Sequence, residues 1–157
     1  IINALTDLEH PCQVLADFLT IKEEFGGFED IALTFIGDGN NVANSLILCG
    51  SLLNIEIRIA CPKGYEPDSS IIKKAKDINK ESKLIVTNDT NYALSNTNVI
   101  YTDTWTSMGE ESDKKEKEKV FDGYSIESFS LGLANNNAII LHCLPAYRGK
   151  EISNVRS

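Results

Sequence analysis

The sequence predicts a doubly wound α/β domain built on a five-stranded parallel sheet. Three observations carry that expectation: five short β-rich apolar runs, helix-length segments between most of them, and hydrophobicity that is nearly continuous within each run rather than alternating. Strands covered by helices on both faces have that last property. With 157 residues the chain is long enough for one ordinary domain with its own core.

The first element is a helix over 11–25. Val14, Leu15, Phe18, Leu19 and Phe25 recur there at helical spacing, Pro11 suits a first helical position, and Gly26-Gly27 ends the run. A strand over 31–36 follows, stopped by Gly37-Asp38-Gly39, and a helix over 42–53 opens after that turn with Asn41 as its candidate N-cap. The alternation continues with a strand over 55–60, a helix over 69–82, and strands over 84–87, 99–102 and 138–141. Between the last two strands, 112–119 is a charge run read as a solvated helix face with near-neighbour ion pairs. Beyond it, 125–133 offers Ile126, Phe129, Leu131 and Leu133 to a further packed helix. The result is a Rossmann-like, three-layer α/β/α arrangement.

Charge and composition narrow the function. The net charge is −8 and the only arginines are Arg58, Arg148 and Arg156. Clustered cations for nucleic acid or an anionic membrane are therefore lacking. An anionic substrate would need backbone amides, helix ends or basic groups from another segment. Cys12, Cys49, Cys61 and Cys143 show no CxxC spacing, so neither zinc nor a disulfide framework is expected. No apolar run reaches spanning length and no signal peptide is visible, which makes a reducing cytosol the expected compartment. The chain opens on Ile1 and ends shortly after a motif, and it reads as a piece of something longer.

In open α/β sheets ligands bind beyond the carboxyl ends of the strands. The loops there are 37–41, 61–65, 88–90, 103–109 and 142–145, and they hold the sequence's one Trp, its one Met and the second of its two histidines. Gly37-Asp38-Gly39 starts like a dinucleotide turn, but Val42 stands where the third glycine of GxGxxG belongs, so a tight strand-to-helix turn is the competing reading. His10 and Gln13, one turn apart at a helix start, could present neutral donors to a carbonyl, or could simply open a helix. Asp103 at a strand end could grip an ammonium group or cap a turn, and Ser107, Met108 and Gly109 offer backbone amides for a carboxylate. His142-Cys143 suggests a nucleophilic pair, yet neighbours on a strand point to opposite faces, which argues against direct activation.

Taken in order, HPCQVLAD at 10–17, GDGNNVANS at 37–45, TND at 87–89, DTWTSMG at 103–109 and HCLPAYRG at 142–149 resemble the ornithine carbamoyltransferases over nearly the whole chain. DxWxSMG joined to HCLP is the part most particular to the ornithine branch. The resemblance implies carbamoyl transfer from carbamoyl phosphate to the side-chain amine of L-ornithine, giving L-citrulline and phosphate, without a cofactor, a metal or a covalent enzyme intermediate. It implies that His10 and Gln13 hold the carbamoyl group and polarise its carbonyl, with Cys143 and Leu144 at the reacting centre. Asn41, Asp103, Ser107 and Met108 would bind the amino-acid end of ornithine, Asp103 pairing the α-ammonium. Residues 1–27 would be an interdomain helix and 28–157 the ornithine-binding domain of a homotrimeric enzyme. The arginines for carbamoyl phosphate would come from an N-terminal domain with an STRT-type loop, leaving this chain inactive alone. The alternatives are a paralogue acting on another amine such as putrescine, and a dinucleotide-binding module.

Overall fold

A computed structural model describes residues 2–105 and 114–154. In chain order the elements are α1 (Pro11–Phe25), β1 (Ala32–Ile36), α2 (Asn41–Leu53), β2 (Glu56–Ala60), α3 (Ser69–Ile78) and β3 (Leu84–Thr87). They continue with α4 (Thr90–Leu94), β4 (Val99–Thr102), α5 (Lys114–Val120), α6 (Ser128–Leu133) and β5 (Ile139–His142). All sheet pairings are parallel and the strand order is β3-β2-β1-β4-β5. The expected five-stranded doubly wound architecture is present.

The order reverses between β1 and β4, because the chain moves outward through β2 and β3 and then returns to the other side of β1. That is the switch point at which loops diverge and leave a crevice. Period-2 geometry distributes each strand between two cores. Leu33 and Phe35 of β1, with Val99 and Tyr101 of β4, face α1, α2 and α3, whereas Ile36 and Ile100 face the side of α4 and Ile126. Phe35 and Tyr101 stack with centroids 5.9 Å apart and neither is exposed. Burying a side chain of this size contributes roughly 1.5–3 kcal/mol.

Several boundaries and faces differ from the sequence reading. In α1, Val14, Phe18 and Ile21 are buried but Leu15 and Leu19 are 63% and 55% exposed, so only one of the helix's two apolar flanks meets the sheet. Helix α3 stops at Ile78 rather than 82, since Asn79 turns to extended backbone and its side-chain oxygen accepts from the Glu81 amide. The five-residue α4 is too short to show helical periodicity and was not expected. Phe129 is 67% exposed rather than packed. The charge run also holds an exception: Lys117 turns inward, its Nζ 2.8 Å from Asp38 Oδ2 and 5.8 Å from the Tyr65 ring centroid. Among the described residues no helix is long and apolar enough to cross a membrane.

Candidate active site

The carboxyl ends of β1, β4 and β5 bring the first group together. The loop after β1 has a glycine turn whose purpose is packing. A Cβ on Gly39 would sit 2.4 Å from Pro67 N and 2.5 Å from the Glu66 carbonyl carbon, and the Gly39 amide donates to Tyr65 O at 2.9 Å. The close approach that a dinucleotide turn reserves for a pyrophosphate is taken here by the protein's own 65–67 segment.

The N-cap of α2 is Asn40, not Asn41 as the sequence reading had it. Asn40 Oδ1 accepts from the amides of Val42 and Ala43 at 3.0 and 3.1 Å. Two adjacent asparagines are equally good caps by type, and the backbone chooses between them. With Oδ1 so committed, Asn40 Nδ2 can only point outward, and it donates to Asp103 Oδ2 at 2.8 Å across the switch point. Asp103 Oδ1 accepts from the Thr104 amide at 2.7 Å, so this carboxylate is held from two directions.

Asn41 faces the segment leading into α1: its Nδ2 donates to Thr6 O at 2.8 Å, leaving its oxygen available. Asn44 and Ser45 hold the same segment, Asn44 Nδ2 donating to Leu8 O at 3.1 Å and Ser45 Oγ accepting from the His10 amide at 2.8 Å. Helix α2 thereby sets where His10 stands. The His10 ring places Nδ1 3.1 Å from Ala4 O. A carbonyl only accepts, so Nδ1 carries a proton, and Nε2 is an acceptor in the neutral ring and a donor only in the imidazolium. This modifies the expectation of a neutral donor.

β5 ends at His142, and the thiol of the next residue, Cys143, stays within 4.8 Å of a His142 ring nitrogen, although that ring bonds elsewhere. His142 Nδ1 accepts from the Leu144 amide at 3.0 Å, and its Nε2 lies 3.3 Å from Oε1 of Glu151, which also accepts from the Tyr147 amide. Cys143 instead packs against the α1–α2 side. Burial and then the charge of Asp103 push its thiol well above the usual cysteine range, opposite to what a nucleophile needs. Cys61, fully buried, is pushed up to about 12 by burial and the charges of Glu66 and Asp38. Ligand atoms of Asp103, His142 and Cys143 lie within 4.8 Å of one another. A cation there would have to displace an existing bond at either imidazole nitrogen. Leu144 adopts a left-handed φ of 35° with its side chain 71% exposed beside the site. Such a conformation in a leucine persists only where its surroundings hold it.

A second group lies beneath, on α1. Gln13 Nε2 donates to Asp17 Oδ1 at 2.9 Å, and the Tyr101 hydroxyl donates to Asp17 Oδ2 at 2.8 Å. The Tyr101 hydroxyl and the Cys143 thiol are in turn close enough to influence each other's ionisation. The structure thus connects Gln13 to Tyr101 through Asp17, sets Cys143 beside Tyr101 and Asp103, and places His10 on the adjoining segment that Asn41, at the start of α2, holds. Ser107 and Met108 lie outside the described residues. Sequence reasoning assigned no role to Asn40, Ser45, Asp17, Tyr101 or Glu151. A carboxylate at Asp17, four residues after Gln13 and within the stripe Val14, Phe18, Ile21, was the one legible signal among them.

A doubly wound sheet that gathers carboxamides, a carboxylate, a thiol and a histidine near its switch point has the form of an α/β domain with a candidate ligand site. Comparison with known proteins then gives the family. Residues 29–155 match the family described as aspartate/ornithine carbamoyltransferase, Asp/Orn binding domain, and the chain belongs to that family. It is 64% identical over 155 residues to the ornithine carbamoyltransferase of Prochlorococcus marinus subsp. pastoris, covering 98% of this chain and 50% of that protein. It is 51% identical over 156 residues to the catabolic ornithine carbamoyltransferase of Thermoplasma volcanium, with 98% and 51% covered. The solved ornithine carbamoyltransferase of Pyrococcus furiosus superposes with a TM-score of 0.91 at 40% identity, covering 98% of this chain and 50% of that one. The chain spans about half the length of the curated relatives it matches.

Proposed function

We propose that this chain is the ornithine-binding half of an ornithine carbamoyltransferase, with residues 1–27 as interdomain segment and 28–157 as the binding domain. The observation that carries the reading is the Asn40–Asp103 bond at the switch point, which holds a carboxylate facing the crevice beside Cys143. A fixed, two-point-bonded carboxylate is suited to the α-ammonium of an amino acid, because its orientation is set before the ligand arrives. Asn41 Oδ1 supplies a second acceptor, and Ser107 and Met108 are assigned the α-carboxylate. Ornithine so held directs its side-chain amine toward Cys143, Leu144 and the start of α1.

In the proposed reaction the neutral side-chain amine attacks the carbamoyl carbon. A tetrahedral centre forms, its oxygen stabilised by His10 as the imidazolium, the ring form that donates from Nε2; the attacking nitrogen then gives up a proton to the departing phosphate as the carbon–oxygen bond to it breaks, leaving L-citrulline and inorganic phosphate. Gln13, Cys143 and Leu144 hold the carbamoyl end. Carbamoyl phosphate needs cations this chain does not cluster, so its phosphate is assigned to a further domain, and the 157-residue chain alone is expected to make no citrulline. The reading extends to a cytoplasmic homotrimer acting in arginine metabolism, on the strength of the family likeness.

The test is citrulline formation by the complete gene product supplied with carbamoyl phosphate and L-ornithine, with L-aspartate and putrescine as competing acceptors. Preferred use of ornithine is expected. Preference for either competitor, or no product at all, would overturn the assignment, and turnover by the isolated chain would overturn the two-domain argument.

A further inference from the structure

This inference rests on the reading above and concerns how Gln13 is aimed. A carboxamide can present either its oxygen or its nitrogen, and the two choices meet opposite partners. Here the choice is made by Asp17. A carboxylate only accepts, so the 2.9 Å contact must involve Gln13 Nε2, and Oε1 is turned away with no partner among the described residues.

Asp17 is held in its turn by Tyr101, whose hydroxyl donates to the second carboxylate oxygen at 2.8 Å. Tyr101 is fully buried, stacked on Phe35, and stands on β4 two residues before Asp103, which directly follows the strand and lies close enough for its charge to act on the Tyr101 hydroxyl. Asp17 as a residue is 7% exposed and lies in the stripe that α1 packs on the sheet, between Val14, Phe18 and Ile21. An apolar residue there would avoid the cost of burying a charge, and burial raises the Asp17 carboxyl above its usual range. Tyr101 alone does not call for a carboxylate, since any acceptor satisfies one hydroxyl. An acceptor on both sides is required only if the Gln13 nitrogen must also be captured.

We propose that Asp17 is a positioning residue for carbamoyl transfer: it locks the Gln13 carboxamide with its oxygen toward the N–H donors of the carbamoyl group and, through Tyr101, keys α1 to the strand end that carries Asp103. Asp17→Asn keeps the shape but can donate to Gln13 Oε1, so the Gln13 amide is free to reverse.

The test is a double-substitution cycle in the complete gene product with Asp17→Asn, Gln13→Ala and both together. Asp17→Asn is expected to lower kcat/KM for carbamoyl phosphate about tenfold or more, the scale seen when the hydrogen-bond partner of a metal ligand is removed. The KM for ornithine should stay within about twofold, and the double variant should be no worse than Gln13→Ala alone, because residues acting as a unit are not additive. Tyr101→Phe removes only a hydroxyl and should show a smaller loss with the same split, also absorbed by Gln13→Ala; this arm decides if Asp17→Asn does not fold. Losses that multiply in the double variants, or an Asp17→Asn enzyme within about twofold of wild type, would overturn the proposal while leaving the functional reading intact. A wild-type protein that makes no citrulline would sink that reading instead, and the inference with it.

Discussion

Replacing Asp103 by asparagine changes one oxygen to a nitrogen and leaves the shape alone, which makes it a clean probe of the crevice. The carboxylate accepts from the Thr104 amide at 2.7 Å and from Asn40 Nδ2 at 2.8 Å. Neither donor can turn round: one is backbone, and Asn40 keeps its oxygen on the amides of Val42 and Ala43. An asparagine at 103 therefore satisfies one donor and confronts the other, at a stability cost of about 1–3 kcal/mol. The ligand's ammonium also loses a charge-assisted bond, worth about 1.5–3 kcal/mol. At 1.4 kcal/mol per factor of ten, the KM for ornithine should rise roughly 10- to 150-fold. Carbamoyl phosphate makes no contact with Asp103 in this account, and its KM should stay within about twofold. Steady-state citrulline assays varying each substrate in turn measure both quantities. A folded Asp103→Asn enzyme with ornithine dependence unchanged, or with both KM values raised together, would refute the assignment of the α-ammonium to this carboxylate.

Two further outcomes follow from packing and burial. Gly39→Ala would drive a methyl group into the backbone of 65–67, where relief requires moving main chain, and should lower the urea unfolding free energy by about 1–3 kcal/mol; a change under about 0.5 kcal/mol would mean that the 65–67 segment does not lie against the turn. The Asp17 carboxyl is raised above its ordinary value of 3.8, burial being the largest cause. Between that value and the raised one the folded protein binds more protons than the unfolded chain, so this group's contribution makes stability fall as pH rises through the window and stay low above it. The stability difference between wild type and Asp17→Asn should shift toward wild type on acidification, and a difference independent of pH would show that burial does not raise this carboxyl.

Much of the architecture was legible because both faces of the central strands β1 and β4 are covered, and the continuous apolar runs 31–36 and 99–102 survive in the sequence as a direct trace of that burial. What could not be read were choices made by tertiary context. Asn40 and Asn41 are chemically identical, and only the path of the chain after Gly39 decides which caps α2 and which reaches Thr6. Lys117 sits in a run of exposed charges, and nothing local tells that Asp38 and Tyr65 draw it inward. Asp17 belonged to a motif that was recognised, but its function depends on Tyr101, which is 84 residues away in sequence. Strand geometry was expected to part His142 from Cys143, but β5 ends at His142 and the two groups stay within 4.8 Å; what turns the imidazole to other partners is Glu151, on a later loop with no periodic signal. Residue types at strand ends were thus visible, and the bonds that orient them were not.

The placement of ornithine at the switch point is tested most directly by a structure of the bound complex. A crystal of the complete gene product with L-ornithine should show the α-ammonium about 3 Å from the Asp103 carboxylate and the side-chain amine directed toward Cys143 and His10. Ornithine bound with its ammonium away from Asp103, or outside the crevice between β1 and β4, would contradict it.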